Sequence, residues 1–277
     1  SLTVNHNLSA MRAAGSLNVT QGKLSNTLAR ISTGLRVTKA ADDAAGSAVA
    51  QNLSTQARSG KQAIRNSNDG VSIIQTAEAA TKEVLNILDR MRELAVQSAS
   101  ETLDNGERAY IDDEFEALSD EVERIAQATE FNDIQLADGT SASLTVQVGV
   151  TSGTESEVAI TLGNLTTTNL GVDTGVSGVD LSTATAAQTA IDTIDNAIDS
   201  VNTIRADYGA SQNRLDSAIS NMTTYVESLT AAASQIMDAD YAHETSEMTR
   251  LQVMQQAGVA ALAQAKGINQ SVISLLG

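Results

Sequence analysis

The sequence predicts a mainly α-helical fold, a long antiparallel helical coiled-coil hairpin with paired N- and C-termini and a small β-hairpin region. Apolar residues recur at alternating spacings of three and four near both ends, which places them along one side of a helix. The 277-residue chain contains no Pro and only 2% aromatic residues, a composition that favours long helices with thin aliphatic cores. One short region alternates apolar and polar residues, as β-strands do.

The two ends carry matching apolar stripes. A helix is predicted from about Val4 to Ile31, closed by the loop 32–34, and another helix occupies the C-terminus. Because such a stripe is stable only against another helix, we expect the terminal helices to pack against each other or against other copies of the chain, and to become ordered only in the polymer. The side chains predicted to form this polymerisation seam are Leu17, Leu24, Leu28, Ile31, Leu35, Leu251, Met254, Ala261, Ala265, Ile268, Val272 and Leu275.

Further helices are predicted between the ends. Asp42 and Asp43 offer an N-cap for a helix that should reach about Ser100. A kink or an interruption is expected at 68–70, where Asn, Asp and Gly follow one another. The turn 104–106 should precede a third helix with heptad-spaced apolar residues.

The chain changes in character after residue 133. Alternating apolar residues in 144–150 and 158–162 flank a polar turn and predict a β-hairpin. Residues 163–185 are rich in Gly, Thr, Ser and Asn, and we expect them to form an exposed loop at the tip. An apolar stripe over 191–229, sustained for more than five heptads, then predicts a long return helix.

The charges are unevenly distributed. The net charge is −17, yet residues 1–40 contain five basic side chains and no acidic one. All 34 carboxylates lie between Asp42 and Glu247. An acidic, solvated middle repels nucleic acid and anionic membranes, so neither is expected as a partner. No apolar run reaches the length of a membrane span, and no classical secretory signal is visible at the start.

Catalytic chemistry has little support in the sequence. Only two His are present, and His243 lacks a second His one turn later, so it is interpreted as structural. The acidic groups at 42–43 and 112–114 are better explained by helix capping and a solvated face. Because the Gly-rich segment has no phosphate-binding pattern, we expect no enzyme activity, no metal and no cofactor.

Short motifs along the whole chain resemble the bacterial flagellin family. They occur in the family's order on both the outgoing and the returning side. The motifs are ISTGLRV at 31–37, AADDAAG at 40–46, RNSNDG at 65–70, LDRMRELAVQSA at 88–99, TEFN at 129–132, GASQNRL at 209–215, DADYA at 238–242, QQAG at 255–258 and LAQA at 262–265.

The resemblance implies a division into two domains. Residues 1–41 and 237–277 would form the two parts of an inner-tube domain, and 42–162 with 186–236 those of an outer-tube domain. The segment 163–185 would stand where longer relatives carry large outer domains, so the chain resembles a short form of flagellin.

The resemblance also implies a function and partners. The chain would be an extracellular structural subunit that polymerises with itself into the flagellar filament used for swimming. It would leave the cell through the flagellar type III export apparatus with the help of an export chaperone, and it would meet the cap and the hook-associated proteins. A hook–filament junction protein, another helical filament subunit, and an enzyme displayed on a filament stay open as alternatives.

One surface site follows from the resemblance residue by residue. In flagellins recognised by Toll-like receptor 5, an Arg, a Leu and a Glu on neighbouring outer-tube helices form the contact. Arg90, Leu94 and Glu114 match these positions here, with Arg92 and Gln97 nearby. The same face is expected to pack against axial neighbours in a filament.

Overall fold

Long helices make up most of this computed structural model. The structure describes residues 7–175 and 178–276, and for 268–276 it describes the backbone only. The helices are α1 (Leu8–Thr33), α2 (Ala44–Ser98), α3 (Asn105–Ala128), α4 (Thr167–Leu170), α5 (Ala184–Met237) and α6 (Tyr241–Leu276). The strands are β1 (Glu130–Phe131), β2 (Ile134–Gln135), β3 (Ser143–Gln147) and β4 (Glu157–Thr161).

The chain divides into two compact units. Unit 1 comprises Ser1–Gln56 and Glu227–Gly277, and unit 2 comprises Ala57–Val226. Unit 1 therefore contains α1, α6, the first turns of α2 and the last turns of α5. Within it α1 and α6 pack side by side, which confirms the predicted pairing of the two ends.

Local hydrogen bonds fix both ends of α1. The Asn7 Oδ1 accepts from the Ala10 amide (2.9 Å) and caps the N-terminus. Gly34 ends the helix at φ +71°, where its amide donates to the Arg30 carbonyl (2.8 Å). A left-handed residue at this point favours Gly, so the predicted end of the helix is confirmed. The predicted start at Val4 lies outside the described residues.

The helix α2 runs without a break through 68–70, so the interruption predicted there is wrong. A Cβ on Gly70 would lie 3.1 Å from Val146 and 3.2 Å from Leu215. The Gly therefore allows the β-strands and α5 to approach α2 closely. Asn68 is also compatible with the helix, because its Nδ2 donates to the carbonyl one turn earlier (2.8 Å).

Reciprocal hydrogen bonds begin α3. The Asp104 Oδ1 accepts from the Glu107 amide (2.7 Å), and the Glu107 carboxylate accepts from the Asp104 amide (3.1 Å). This capping box satisfies two amides that would otherwise lack partners. The buried Arg108 then donates to the Leu103 carbonyl (3.2 Å) and the Ser100 carbonyl (2.7 Å), which fastens the turn between α2 and α3.

The main core of unit 2 lies between α2, α3 and α5. Its side chains come from the heptad-spaced stripes that the sequence shows, and they are almost completely buried. Members of this core include Val84, Leu88, Met91, Leu94, Phe115, Val122, Ile194 and Val201. The three helices thus stabilise one another through aliphatic packing with a single large aromatic ring.

The predicted β-hairpin is confirmed as the antiparallel pair β3–β4. Val146 stands opposite Val158, and Leu144 stands opposite Ile160. The apolar members of these pairs pack with Tyr208 of α5 in a second core. The short strands β1 and β2 form a further antiparallel pair in which Phe131 faces Ile134.

The described part of the segment 163–185, which omits 176–177, is exposed at many of its polar residues, as predicted, but its apolar residues are packed. Its apolar side chains Leu165, Leu170, Val172 and Leu181 are at most 5% exposed. The Glu123 Oε2 accepts from the amide (2.9 Å) and hydroxyl (3.0 Å) of Thr167, and Asp112 accepts from the Leu181 amide (2.7 Å). These apolar residues are isolated in the sequence and show no periodicity. The sequence alone therefore does not predict that they pack against the helices.

Tyr208 should make the stability of the fold sensitive to alkaline pH. Its ring is 1% exposed, and burial raises the pKa of its hydroxyl, against a smaller opposing effect of the Gly163 amide that donates to it (3.0 Å). A raised folded-state pKa gives stability that is present below the unfolded value of about 10 and is lost as pH rises through the folded value. Between pH 9 and 11, the free energy of unfolding measured by chemical denaturation should fall less in Tyr208→Phe than in the unsubstituted chain. In the exposed control Tyr110→Phe, it should fall as steeply as in the unsubstituted chain.

Candidate assembly surface

Hydrogen bonds and an ion pair hold α1 antiparallel to α6. At one end, the Asn7 Nδ2 donates to the Ala265 carbonyl (2.8 Å). At the other, the Arg30 Nη1 lies 3.3 Å from the Glu244 Oε1. Because the Glu244 side chain is only 8% exposed, loss of its cationic partner would leave a buried charge unpaired, which is costly.

A narrow stripe on each helix forms this contact. The stripe on α1 comprises Ala13, Leu17, Thr20, Leu24, Thr27 and Ile31, and the stripe on α6 comprises Glu244, Met248, Leu251, Gln255, Gly258, Leu262 and Ala265. All are buried or half-buried and repeat at alternating spacings of three and four. Of the predicted seam, Leu17, Leu24, Ile31, Leu251 and Ala265 lie on these stripes.

Four predicted seam residues do not lie between α1 and α6. Leu28 is 46% exposed, Met254 is 44% exposed and Ala261 is exposed as well. Leu35 lies beyond the end of α1, where it pairs with Asp238 in an isolated β-bridge. The side chains of Ile268, Val272 and Leu275 lie outside the described residues.

Threonines explain why the sequence predicts a shifted stripe. The side chains at positions 20 and 27 are buried, and both are Thr. Positions 21 and 28, one residue further along, have the same spacing, and position 28 carries the more hydrophobic Leu. The Thr20 hydroxyl donates to the Ser16 carbonyl of its own helix (2.9 Å), so Thr20 tolerates burial against α6. The sequence analysis therefore misses the buried polar residues Thr20, Thr27 and Glu244. The only signal for them is their spacing, that of the two Thr with Leu24 and that of Glu244 with Leu251.

Large exposed apolar side chains concentrate in unit 1. Those described there are Leu8, Met11, Val19, Leu28, Val49, Tyr241, Val253, Met254 and Val259, whereas unit 2 has Val96 and Tyr110. On α1, residues 8, 11 and 19 share the side of the helix opposite the stripe that faces α6. Both terminal helices therefore have apolar surface that their mutual contact does not cover, and clustered surface of this kind marks an interaction site.

Backbone hydrogen bonds join the segments that follow α1 and precede α6. The Arg36 amide donates to the Met237 carbonyl (2.6 Å), and the Ala239 amide donates to the Gly34 carbonyl (2.9 Å). Further along, the Asp42 carboxylate accepts from the hydroxyl of Thr38, and this bond lowers the pKa of Asp42, together with the amides of residues 38 and 39. Asp42 thus closes the connecting turn, and Asp43 accepts from an amide in the first turn of α2.

The predicted receptor site falls into two ion pairs on opposite sides of α2. The Arg90 guanidinium contacts Glu114 of α3 (2.8 Å), and this hydrogen bond is the largest cause that raises the Arg90 pKa. The Arg92 guanidinium contacts Asp195 of α5 (2.6 Å). Gln97 is exposed on α2. The structure therefore brings Arg90 and Glu114 together and directs Arg92 toward another helix.

Leu94 does not belong to this surface. Its side chain is 1% exposed and lies in the core between α2, α3 and α5. The prediction that Leu94 contacts a receptor directly is therefore wrong for the folded chain. A matching sequence position gives no information on burial, and the heptad spacing of Leu94 with Met91 and Ile87 already indicated the core.

Neither cluster offers a site for metal chemistry. Among the described residues, no three His, Asp or Glu side chains are arranged so that they could hold a metal ion. No helix in the described part of the chain is long and apolar enough to cross a membrane. The arrangement instead defines a class of protein, a long-helix protein whose two terminal helices pair with each other and leave apolar side chains exposed.

Comparisons with known proteins identify the family. The sequence profile of the bacterial flagellin N-terminal helical region matches residues 4–142, and that of the C-terminal helical region matches 191–276. The chain is 42% identical to flagellin of Halalkalibacterium halodurans over 99% of its own length and all of that protein. It is 37% identical to the flagellar filament 33 kDa core protein of Treponema phagedenis, again over 99% of this chain and all of that one.

A solved structure agrees with the sequence comparison. The crystal structure of Bacillus cereus flagellin is 30% identical, with a TM-score of 0.50 over 57% of this chain and 88% of that one. The chain belongs to the bacterial flagellin family. It is a structural subunit of the flagellar filament, and the full-length match to flagellins favours this function over a hook–filament junction protein.

Replacing Leu94 should lower the stability of the fold, because its side chain lies in the core and not on a binding surface. Leu94→Ala leaves a cavity in the unit 2 core, so the free energy of unfolding should fall by about 2–5 kcal/mol. Val96→Ala, on the same helix and 50% exposed, serves as the control and should change it by less than about 0.5 kcal/mol. Urea denaturation checks both variants, and equal effects would contradict the assignment of Leu94 to the core.

Proposed function

We propose that the subunit polymerises by burying the exposed apolar side chains of unit 1 against neighbouring copies. The observation that carries this proposal is the concentration of these side chains on α1, α6 and the first turns of α2. Burial of apolar surface contributes about 25 cal/mol per Å². Many small side chains on α6, among them Ala257, Ala260 and Ala263, permit close approach of further helices.

The contacts between copies are heterologous in this proposal. The exposed sides of α1 and α6 differ, so one copy presents a surface that another copy complements without closing a dimer. Contacts of this kind propagate into a helical array. Residues 1–41 and 237–277 form the inner tube of the filament, 42–162 and 186–236 form its outer tube, and 163–185 stands where outer domains would be inserted.

The proposal extends to where the protein acts and what it meets. The filament lies outside the cell and serves swimming, with no catalytic step assigned to the subunit. The flagellar type III apparatus exports the chain with the aid of an export chaperone, and the cap and the hook-associated proteins contact its ends. The terminal helices gain their full order only when copies surround them, because a partly covered apolar helix is marginal alone.

Charged substitutions on the uncovered sides should prevent assembly but not folding. In the filament, Val19→Glu or Val253→Glu would place a carboxylate in an apolar contact, which is strongly unfavourable. Nucleated elongation should slow by about tenfold or more, while circular dichroism of the dilute subunit stays the same. Val96→Glu, the same change at a comparably exposed Val of unit 2, is the matched control, and equal slowing in all three variants would contradict the proposal.

A second role is supported by the exposed ion pair between α2 and α3. We propose that Arg90 and Glu114, with Gln97 two helical turns away on the same side of α2, contact Toll-like receptor 5 in the free subunit and axial neighbours in the filament. Arg92 lies on the opposite side of α2, where it pairs with Asp195, and is not part of this contact. The pair presents a guanidinium and a carboxylate that are each nearly half exposed. An exposed Arg can dominate a protein interface although its own surface ion pair contributes little to folding.

Arg90→Ala should therefore weaken binding to the receptor ectodomain by about tenfold while the unfolding midpoint changes little. Arg124→Ala is a suitable control, because Arg124 also pairs with a carboxylate on the surface (2.6 Å from Glu121). Surface plasmon resonance measures both. Unchanged affinity for Arg90→Ala would exclude this role.

A further inference from the structure

The six methionines differ widely in exposure. Met91 is completely buried in unit 2, whereas Met11 is 63% exposed and Met254 is 44% exposed in unit 1. The remaining three are half-buried. Both exposed thioethers lie on terminal helices, within the surface to which we assign assembly. A thioether in this position is open to oxidation in the free subunit, and oxidation makes it polar.

Met254 differs from Met11 because a charged donor is fixed beside its sulfur. The Arg250 Nη1 lies 3.3 Å from the Met254 Sδ, one helical turn away. The same guanidinium is held by Glu247, whose Oε2 accepts from the Arg250 Nε (2.8 Å). A thioether sulfur is a weak acceptor. The oxygen of a sulfoxide at Met254 would be a far better acceptor for the same N–H group.

We propose that Met254 is a reversible oxidation site that controls whether a free subunit can join the filament. The oxidant is hydrogen peroxide. The Met254 sulfur attacks one peroxide oxygen, so that an S–O bond forms and the O–O bond breaks. The sulfur loses two electrons, and the second oxygen leaves as water after proton transfer. Two thiols reverse the step, since they become a disulfide while the sulfoxide oxygen leaves as water.

Oxidation changes the surface without unfolding the subunit. Because Arg250 donates to the sulfoxide oxygen, the oxidised side chain is satisfied at the surface of α6. In a filament contact the same oxygen would enter an apolar interface and lose access to water, which disfavours assembly. This inference rests on the proposed burial of unit 1 side chains between copies, so the sulfur of an assembled subunit should be protected.

The test uses the full chain with Met11→Leu, which leaves Met254 as the exposed thioether, and compares it with Met11→Leu/Met254→Leu. Each protein is treated with hydrogen peroxide and compared with its own untreated sample. Peptide mass spectrometry should locate the sulfoxide at Met254. Nucleated elongation of the treated Met11→Leu subunit should fall by about tenfold or more, whereas the double variant should lose less than about twofold. A methionine sulfoxide reductase with dithiothreitol should restore elongation.

Two further measurements distinguish loss of assembly from loss of folding and from oxidation that is unrelated to the filament contact. The melting temperature of the treated Met11→Leu subunit should stay within about 2 °C of the untreated value, and Met254 in preformed filaments should oxidise about tenfold more slowly than in subunits. Equal losses in both variants, full conversion of Met254 without a loss, a large fall in melting temperature, or equal oxidation in filament and subunit would each overturn the inference. Failure of the untreated proteins to elongate would instead refute the proposed function.

Discussion

The terminal helices carry apolar surface on more sides than one neighbouring helix can cover. The stripe that pairs α1 with α6 includes Leu24 and Leu251, which are buried within a single chain. Val19 and Val253 remain 61% exposed on other sides of the same helices. An isolated chain therefore covers one stripe of each helix and leaves the other exposed side chains in water, which is the surface that the proposed assembly buries.

Unit 2 does not share this deficiency. Its three long helices enclose a core that includes the fully buried Phe115, and the β3–β4 hairpin adds a second core that includes Tyr208. Capping at Asp104 and the Arg108 hydrogen bonds complete its turns. Unit 2 can be stable by itself, whereas unit 1 gains from every copy that covers it. This contrast agrees with a filament subunit that folds first and assembles afterwards.

The sequence predicts the long helices and the hairpin because their periodicity is strong. It does not predict features that depend on the packing of a single residue. Heptad spacing predicts the helices, and alternation predicts the hairpin. The same spacing cannot distinguish two frames one residue apart, so it does not show that Thr27 rather than Leu28 faces α6 within the chain. The sequence around Gly70 predicts a turn, but in the structure Gly70 lies within α2 and allows the β-strands and α5 to pack closely against it. Leu94 matches a receptor-contact motif by position, although its heptad spacing with Ile87 points to the core. For the apolar residues of the irregular segment 163–185, no such spacing exists, and only the structure shows their burial.

The most direct test removes the terminal helices. A chain without residues 1–35 and 251–277 should keep the cooperative unfolding of unit 2, measured by circular dichroism, because that core is complete within 57–226. Electron microscopy after seeding should show no filaments from this chain under conditions in which the full chain elongates. Growth of the truncated chain into tubes of the same diameter would contradict the claim that uncovered apolar surface of α1 and α6 drives assembly.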